Sequence, residues 1–399
     1  MRIYLHDFGG YAFITDLSRE LARRGHEIRH AYNARLTAGQ GVDPRPDDPT
    51  TLSLAPIRIR HHFDKYSLAR RPVIEREYGR AVAGDLHAYA PDVAITANTP
   101  LLSLWQIQQA ARAIGAGFGL WLQDLLGAGI AGELQRRLHA PGVLAGQAIQ
   151  RLERTMLGRA DQVIAISDAF TPIVTRSRVP AHALTVIPNW APLTPAPLPP
   201  RDNAWALEHG LTGHPVLLYS GTLGRKHDPA ILLRLAAALA TAGDGEIVVV
   251  SEGPVVDELA AAAARQRLPL RVLPFQPYAR LPEMLASADV LLALLTPDAG
   301  TFSVPSKVLT YLSAGRPVLA SMPPDNLAAR LLAEHDAGRV VPPGDDAHFV
   351  ATALDLLEDA PARERLGANG RRYAEEHFDL TVIGDRFEQV LTRIARPKR

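Results

Sequence analysis

Residues 216–226, VLLYSGTLGRK, followed by His227, Asp228 and Pro229, decide how the chain is read. Val216, Leu217, Leu218 and Tyr219 form the kind of apolar run that a buried parallel strand requires. Gly221 and Gly224 relax the backbone after it, and Arg225 and Lys226 place two cations at the strand's carboxyl end. Asp228 is read as an N-cap and Pro229 as a first-turn residue of the helix ILLRLAAALATAG. A strand, a glycine turn bearing cations and a helix N-terminus together suit a phosphorylated ligand. An ordinary βα turn with solvated basic residues would carry the same letters, so the reading depends on what surrounds it.

The pattern extends in both directions. Upstream, strand-like runs fall at 2–6, 27–32, 93–97, 119–123, 162–166 and 184–187, with helical stretches between them. One of these, 15–24, has Leu17 and Leu21 four apart and stops at Gly25. Downstream, runs fall at 216–219, 247–250, 271–273, 290–294, 317–320 and 339–341, and helices through 351–357 and 382–394 close the chain. Alternating strands and helices predict doubly wound parallel sheets, so the class is α/β. Between the two series lies PLTPAPLPP, 192–200, with five prolines in nine residues, which excludes regular structure. The expected division is therefore a first domain over 1–192, a proline-rich linker over 193–200 and a second domain over 201–377. A C-terminal helix at about 378–399 is expected to pack back on the first domain. Two Rossmann-like halves imply a cleft between them, lined by the carboxyl ends of the strands.

Composition narrows the class. The 399 residues suffice for two cores, and a formal net charge of +1 gives no basic field for nucleic acid. The absence of cysteine excludes disulfides, thiolate metal sites and cysteine nucleophiles. The N-terminus, MRIYLHDF, enters a strand without a signal-peptide pattern, and no apolar run approaches ~20 residues. A cytoplasmic protein is expected, or one peripheral on the inner face of the plasma membrane. No D-x-D occurs, and the fourteen histidines show no paired ligand spacing on a helix, so no metal site is expected. Residues 58–80 hold seven Lys or Arg against three Asp or Glu, with His61, His62, Phe63 and Tyr66 among them. That run is a solvated face or a contact for an anionic membrane surface.

Each strand end in the second series carries groups suited to a nucleotide. Ser251-Glu252-Gly253-Pro254 lets backbone approach a ligand, and Pro274-Phe275-Gln276-Pro277-Tyr278 offers aromatic surface and an amide. After the strand at 290–294 comes TPDAGTFSV, then Pro305, Ser306 and Lys307 open the helix VLTYLSAG, with Ser306 as its expected cap. In the first series, Asp124 ends GLWLQ and is the candidate for orienting or deprotonating an acceptor hydroxyl, with an N-cap or loop carboxylate as the alternative. His6 and Asp7 end the first strand, and Asn98 and Asn189 stand with them. Gly127-Ala-Gly129-Ile-Ala-Gly132 satisfies the dinucleotide fingerprint formally, but it follows the wrong strand and is read as a flexible loop on the acceptor side.

The ordered set GTLGRK, EGP, FQPY with LPEMLASADVLL, and PSKVLTYLSAGRPVLA resembles the donor domain of GT-B glycosyltransferases of family GT4. Gly9-Gly10 before a helix ending Arg24-Gly25-His26-Glu27, and Ile187-Pro188-Asn189-Trp190, resemble that family's first domain. LWLQD, PNW, LYSGTLGRK and PSK are similar to its colanic-acid and exopolysaccharide branch. The resemblance covers nearly the whole chain and implies a GT-B fold, two Rossmann-like domains facing across a cleft. It implies a retaining, metal-independent transfer from a nucleotide-diphosphate sugar, UDP or GDP, to a glycan or lipid-linked acceptor, with no cofactor besides that co-substrate. Arg225 and Lys226 match the basic pair that stabilises the leaving diphosphate. Gly221, Thr222, Glu252, Gly253, Pro254, Phe275, Gln276, Tyr278, Val304, Pro305, Ser306, Lys307 and Thr310 fall on the donor side, and Gly9, Gly10, His6, Asn98 and Asn189 on the acceptor side. The chain departs from the family where its paired glutamates fall on Phe302 and Thr310, so the ribose contact must come from Thr310 or elsewhere. The alternatives are a nucleotide-sugar epimerase, which shares the architecture, and a weakened nucleotide-sugar-binding subunit of a polysaccharide assembly complex.

Overall fold

A computed structural model describes residues 1–35, 42–61, 70–194, 196–224, 227–297 and 305–397. The chain divides into two compact units, 1–188 with 380–399, and 189–379. The first unit contains the strands Arg2–Asp7 (β1), Glu27–Asn33 (β2), Leu52–Ile57 (β3), Val93–Ala97 (β4), Gly117–Leu122 (β5), Gln162–Ala165 (β6) and Leu184–Val186 (β7). The second contains Val216–Ser220 (β8), Glu246–Val250 (β9), Leu270–Leu273 (β10), Val290–Leu294 (β11), Val318–Ser321 (β12) and Gly338–Val341 (β13). The sheets run β3-β2-β1-β4-β5-β6-β7 and β10-β9-β8-β11-β12-β13, and the paired strands are parallel. The order reverses beside β1 in the first sheet and beside β8 in the second. Those reversals are where ligands collect in such sheets.

The local chemistry explains the elements. β4 and β11 are buried along their whole lengths, as strands covered on both faces must be. The helix Ala230–Ala242 is built from Ala and Leu, strong helix formers, and ends at Gly243 with φ +80°. Leu217, Tyr219, Ile247, Val249, Val290, Leu292 and Leu319 form the centre of the second core with Leu232, Leu235 and Phe349. Each Leu, Ile or Val withdrawn there stabilises the fold by ~1.5–3 kcal/mol.

The helix Leu380–Ile394 is built into the first unit. Arg24 pairs with Asp385 at 2.5 Å and with Glu388 at 3.0 Å, and Phe387 stacks obliquely on Trp121, 4.6 Å between centroids. A methyl group on Gly117 would collide with the Ile394 carbonyl, so that strand start must be glycine. Among the described residues no helix is long and apolar enough to cross a membrane.

Several local readings change. β3 was not expected: its alternating exposure and Pro56 mark an edge strand, the place in a sheet where proline is tolerated. Asp228 is not an N-cap. It takes φ +42°, whereas a cap needs extended backbone, and the helix starts after Pro229. Ser306 does not cap its helix either, because the extended Pro305 occupies the cap position and Ser306 is the first helical residue. Gly127–Gly132 is not a loop but part of Leu126–Leu157, two helical arms that meet at His139, where φ is +52°. Gly142 and Gly146 let the arms close, since a methyl group on either would strike the Leu134 carbonyl or Ala131. The proline-rich stretch belongs to the second unit, whose boundary falls after Pro188. Thr194 N–H donates to Ser313 Oγ at 2.8 Å, and Arg371 Nη1 donates to the Thr194 carbonyl at 2.8 Å.

Candidate functional site

In the second unit the groups converge where β8 and β11 part. Tyr219, fully buried near the end of β8, donates its hydroxyl to the Thr222 carbonyl at 2.8 Å. Tyr311 reaches across from the helix Ser306–Ser313: its hydroxyl accepts from Ser220 N–H at 2.9 Å and donates to the Ser220 carbonyl at 3.2 Å. Burial raises both phenols above their ordinary range, so they act as neutral hydrogen-bonding posts. The glycine turn between them is pinned rather than loose. Gly221 N–H donates to the Val250 carbonyl at 3.0 Å, Leu223 N–H to Ser251 Oγ at 3.2 Å, and Gly224 N–H to His227 Nδ1 at 2.9 Å. Because these amides serve the fold, charge for an anionic ligand must come from side chains and from the adjoining helix start.

Lys307 supplies such a charge. Its ammonium lies 3.5 Å above the centroid of the Tyr219 ring, an attraction between the cation and the ring's negative face. A methyl group built on Gly221 would stand 3.7 Å from Lys307 Nζ, so the turn and the lysine are neighbours. Gly221 itself has φ +108°, a conformation that disfavours any side chain. Arg225, Lys226, Phe302 and Val304 lie outside the described residues. Thr310 is half-buried, and its hydroxyl donates back to the Ser306 carbonyl at 3.3 Å.

The next two strand ends are tied together. Glu252 Oε1 accepts from Phe275 N–H at 3.0 Å, joining the loop after β9 to the loop after β10. Gly253, at φ +119°, and Pro254 start the helix Pro254–Gln266. Phe275 and Tyr278 are exposed and offer aromatic surface. Gln276 is committed to the protein: its Oε1 accepts from Trp205 Nε1 at 3.1 Å, and its Nε2 donates to the Pro274 carbonyl at 2.9 Å.

In the first unit the corresponding turn surrounds a carboxylate. Asp7, fully buried, accepts from Tyr11 N–H at 2.5 Å, Gly9 N–H at 3.2 Å and Asn98 Nδ2 at 3.1 Å. Burial raises its pKa to about 6 against those donors, with the Gly10 amide also helping to hold the charge. Asn98 reaches Asp7 from a left-handed position, φ +53°, and Gly10 takes φ +64°. The amides at this helix start serve the chain's own carboxylate, so the turn suits a neutral, hydroxyl-bearing ligand better than an anion. His6 lies beneath, fully buried. Its Nε2 bonds the Tyr78 hydroxyl at 2.9 Å, and its Nδ1 bonds Thr96 and Thr99 at 2.9 and 3.1 Å. Burial lowers its pKa to about 3, so it is neutral and braces the turn from within.

Asp124 stands exposed two residues beyond β5, with Oδ1 accepting from Leu125 N–H at 2.7 Å. Close by, the buried Glu153 accepts from Gly127 N–H at 3.0 Å, and burial, then the Asp124 charge, raise its pKa. Asn189 is half-buried and begins the second unit. Sequence reading missed Glu153 and Tyr311 as supports, and took Ser251 as part of a ligand-facing loop where it instead holds the Leu223 amide. For Asp7 a signal exists, an aspartate two residues before a glycine pair, which favours a side-chain-to-backbone turn. Among the described residues no group of three His, Asp or Glu side chains is arranged to hold a metal ion.

Residues 8–190 match a family model described as "Glycosyl transferase 4-like domain", and residues 214–359 match one described as "Glycosyl transferases group 1". The chain is similar to a probable glycosyltransferase, WbjE, of Pseudomonas aeruginosa, 27% identical over 67% of this chain and 66% of that protein. It is similar to phosphatidyl-myo-inositol mannosyltransferase of Mycobacterium leprae (strain TN), 26% identical over 97% of this chain and 93% of that one. The match thus spans just under two thirds of the former and nearly all of the latter. The crystal structure of Anabaena Alr3699/HepE in complex with UDP-glucose superposes with a TM-score of 0.68 at 16% identity, over 98% of this chain and 100% of that one. WaaG, a glycosyltransferase involved in lipopolysaccharide biosynthesis, gives 0.69 at 16% identity over the same shares. Likeness at that identity is one of fold.

Proposed function

This chain belongs to the glycosyltransferases of family GT4, built in the GT-B fold, and we propose that it moves a sugar from a UDP- or GDP-linked donor to a glycan or lipid-linked acceptor, with retention, in bacterial-type polysaccharide or glycoconjugate biosynthesis. The observation that carries the reading is Lys307, held over Tyr219 beside Gly221 where the second sheet's strand order reverses. The HepE neighbour was crystallised in complex with UDP-glucose, and the relative from Mycobacterium leprae is named a phosphatidyl-myo-inositol mannosyltransferase, which supports a nucleotide sugar as donor and a lipid-linked acceptor as one candidate.

In the reaction the bond between the donor's anomeric carbon and the diphosphate oxygen breaks, and negative charge grows on the leaving group. Lys307 sits where it can meet that charge, joined by Arg225 and Lys226 on the strength of the family resemblance. Removing one such stabiliser commonly costs ~2–4 kcal/mol in the barrier. These cations and the start of the helix Ser306–Ser313 would serve in place of a metal. Glu252, Phe275 and Tyr278 would line the base and sugar positions. On the first unit, the exposed Asp124 carboxylate would orient the acceptor hydroxyl and take its proton as the new glycosidic bond forms. A thermal-shift series with UDP, GDP and their sugars tests the donor assignment, because a ligand selective for the folded chain raises its transition temperature. A transition unmoved by any of them would count against it.

A further inference from the structure

The two helical arms of Leu126–Leu157 leave a distinctive tip. Near the base, Gly127, Glu153, Met156 and Leu157 are buried; toward the turn only Gly142 and Gly146 are, each closed by the opposite arm. Among the described residues the tip is thus largely exposed, closed only where its two arms meet. It nonetheless carries Leu138, Val143 and Leu144, which are 51%, 37% and 70% exposed. Those are three of the nine large exposed hydrophobic residues among the described ones, gathered within seven positions. Arg136 and Arg137 stand beside them with side chains 74% and 54% exposed. Between Glu133 and Glu153 there is no acidic residue, whereas Arg136, Arg137, Arg151 and His139 all fall there.

A cluster of large apolar side chains on an otherwise polar surface marks a contact site. We propose that this tip docks on an anionic bilayer, with Leu138, Val143 and Leu144 entering the headgroup boundary and the arginines meeting lipid phosphates. Glu133 accepts one bond from each of Arg136 and Arg137. That steadies the guanidinium groups along the arm and leaves their other N–H donors to phosphate. A second copy of the chain fits less well. A stable dimer buries ~800 Å² per partner, more than three apolar side chains at a turn supply, and self-pairing would bring arginines together. The inference is independent of the sugar-transfer reading and requires no donor or acceptor.

Flotation of the full chain with vesicles of phosphatidylcholine alone, and of phosphatidylcholine mixed with phosphatidylglycerol, tests it. Binding to the mixed vesicles is expected, weakening as salt rises. The double variant Leu138→Gln with Leu144→Gln keeps every charge and should bind about tenfold or more weakly. Arg136→Gln with Arg137→Gln should lose most of the preference for the anionic vesicles. Both should melt as the unaltered chain does, because the replaced side chains are exposed. Three results would overturn the proposal. One is no binding to the mixed vesicles. Another is unchanged binding of the leucine variant, which would move the contact elsewhere, for instance to the basic stretch 58–80. The third is lipid-independent self-association that the leucine variant abolishes.

Discussion

Replacing Lys307 with methionine removes the ammonium while keeping an unbranched stem of similar reach. In the folded chain that ammonium lies 3.5 Å from the centroid of the Tyr219 ring, a contact worth ~0.5–2 kcal/mol. A methionine sulfur on the same ring recovers ~0.3–1.5 kcal/mol, so the net loss from that contact should stay below ~2 kcal/mol. Toward a bound diphosphate the balance differs. A unit charge at 4 Å contributes ~4 kcal/mol of attraction at an effective dielectric of about 20. After desolvation, a hydrogen bond to a charged group retains ~1.5–3 kcal/mol. Affinity for the preferred nucleoside diphosphate should therefore fall about ten- to a hundredfold, with a melting transition close to that of the unaltered chain. Calorimetric titration of UDP and GDP into both proteins, paired with a thermal scan, reads the two quantities separately. Unchanged affinity in a folded variant would refute the placement of Lys307 at the diphosphate. A stability loss as large as the affinity loss would make the lysine a structural residue instead.

Thr310→Glu should tighten nucleotide binding about tenfold or more, because a carboxylate can accept from both ribose hydroxyls while threonine gives up only a bond to the Ser306 carbonyl; an unmoved dissociation constant would mean the position does not face the ligand. Transfer should survive EDTA, since side-chain cations supply the charge on the diphosphate; loss of activity restored by Mg²⁺ or Mn²⁺ would contradict this. Acid should act on the first unit through opposed groups. His6 and His30, both lowered from 6.5 to about 3 by burial, stabilise the fold above pH 6.5, and that contribution is lost as pH falls toward 3. Asp7, raised from 3.8 to about 6, contributes in the other sense: its stabilisation is full below pH 3.8 and disappears as pH rises through 6. Removing the offset in Asp7→Asn should steepen the acid loss between those two values by up to ~1.4 kcal/mol per pH unit; superimposable urea midpoints against pH would refute the buried-carboxylate account.

The alternation of strands and helices was legible because fully buried parallel strands leave continuous apolar runs, as Val290–Leu294 does. The edge strand Leu52–Ile57 was not, since half of it faces solvent and it contains Pro56. Nor was the helix Ala360–His377, whose cap, Asp359 accepting from Ala362 N–H at 2.9 Å, also closes the preceding helix. At the site, residue types and their order pointed to a nucleotide, but the partners already engaging them did not show. Gln276 reads as a ligand amide until Trp205, 71 positions away, donates to it; His6 reads as an acceptor group until Tyr78, 72 positions away, closes on it. Sequence periodicity reports neighbours within a helical turn or a strand repeat, so pairings across a sheet or between layers stay hidden.

Transfer of a sugar from a nucleotide-diphosphate sugar, with its anomeric configuration kept, is the step to measure. Incubating it with UDP- and GDP-linked sugars and a lipid-linked or glycan acceptor, with product followed by NMR, measures both parts at once. One nucleoside diphosphate should be released for each glycosidic bond formed, with the new linkage in the donor's own configuration. An inverted linkage, epimerisation of the donor without transfer, or binding with no turnover would contradict this.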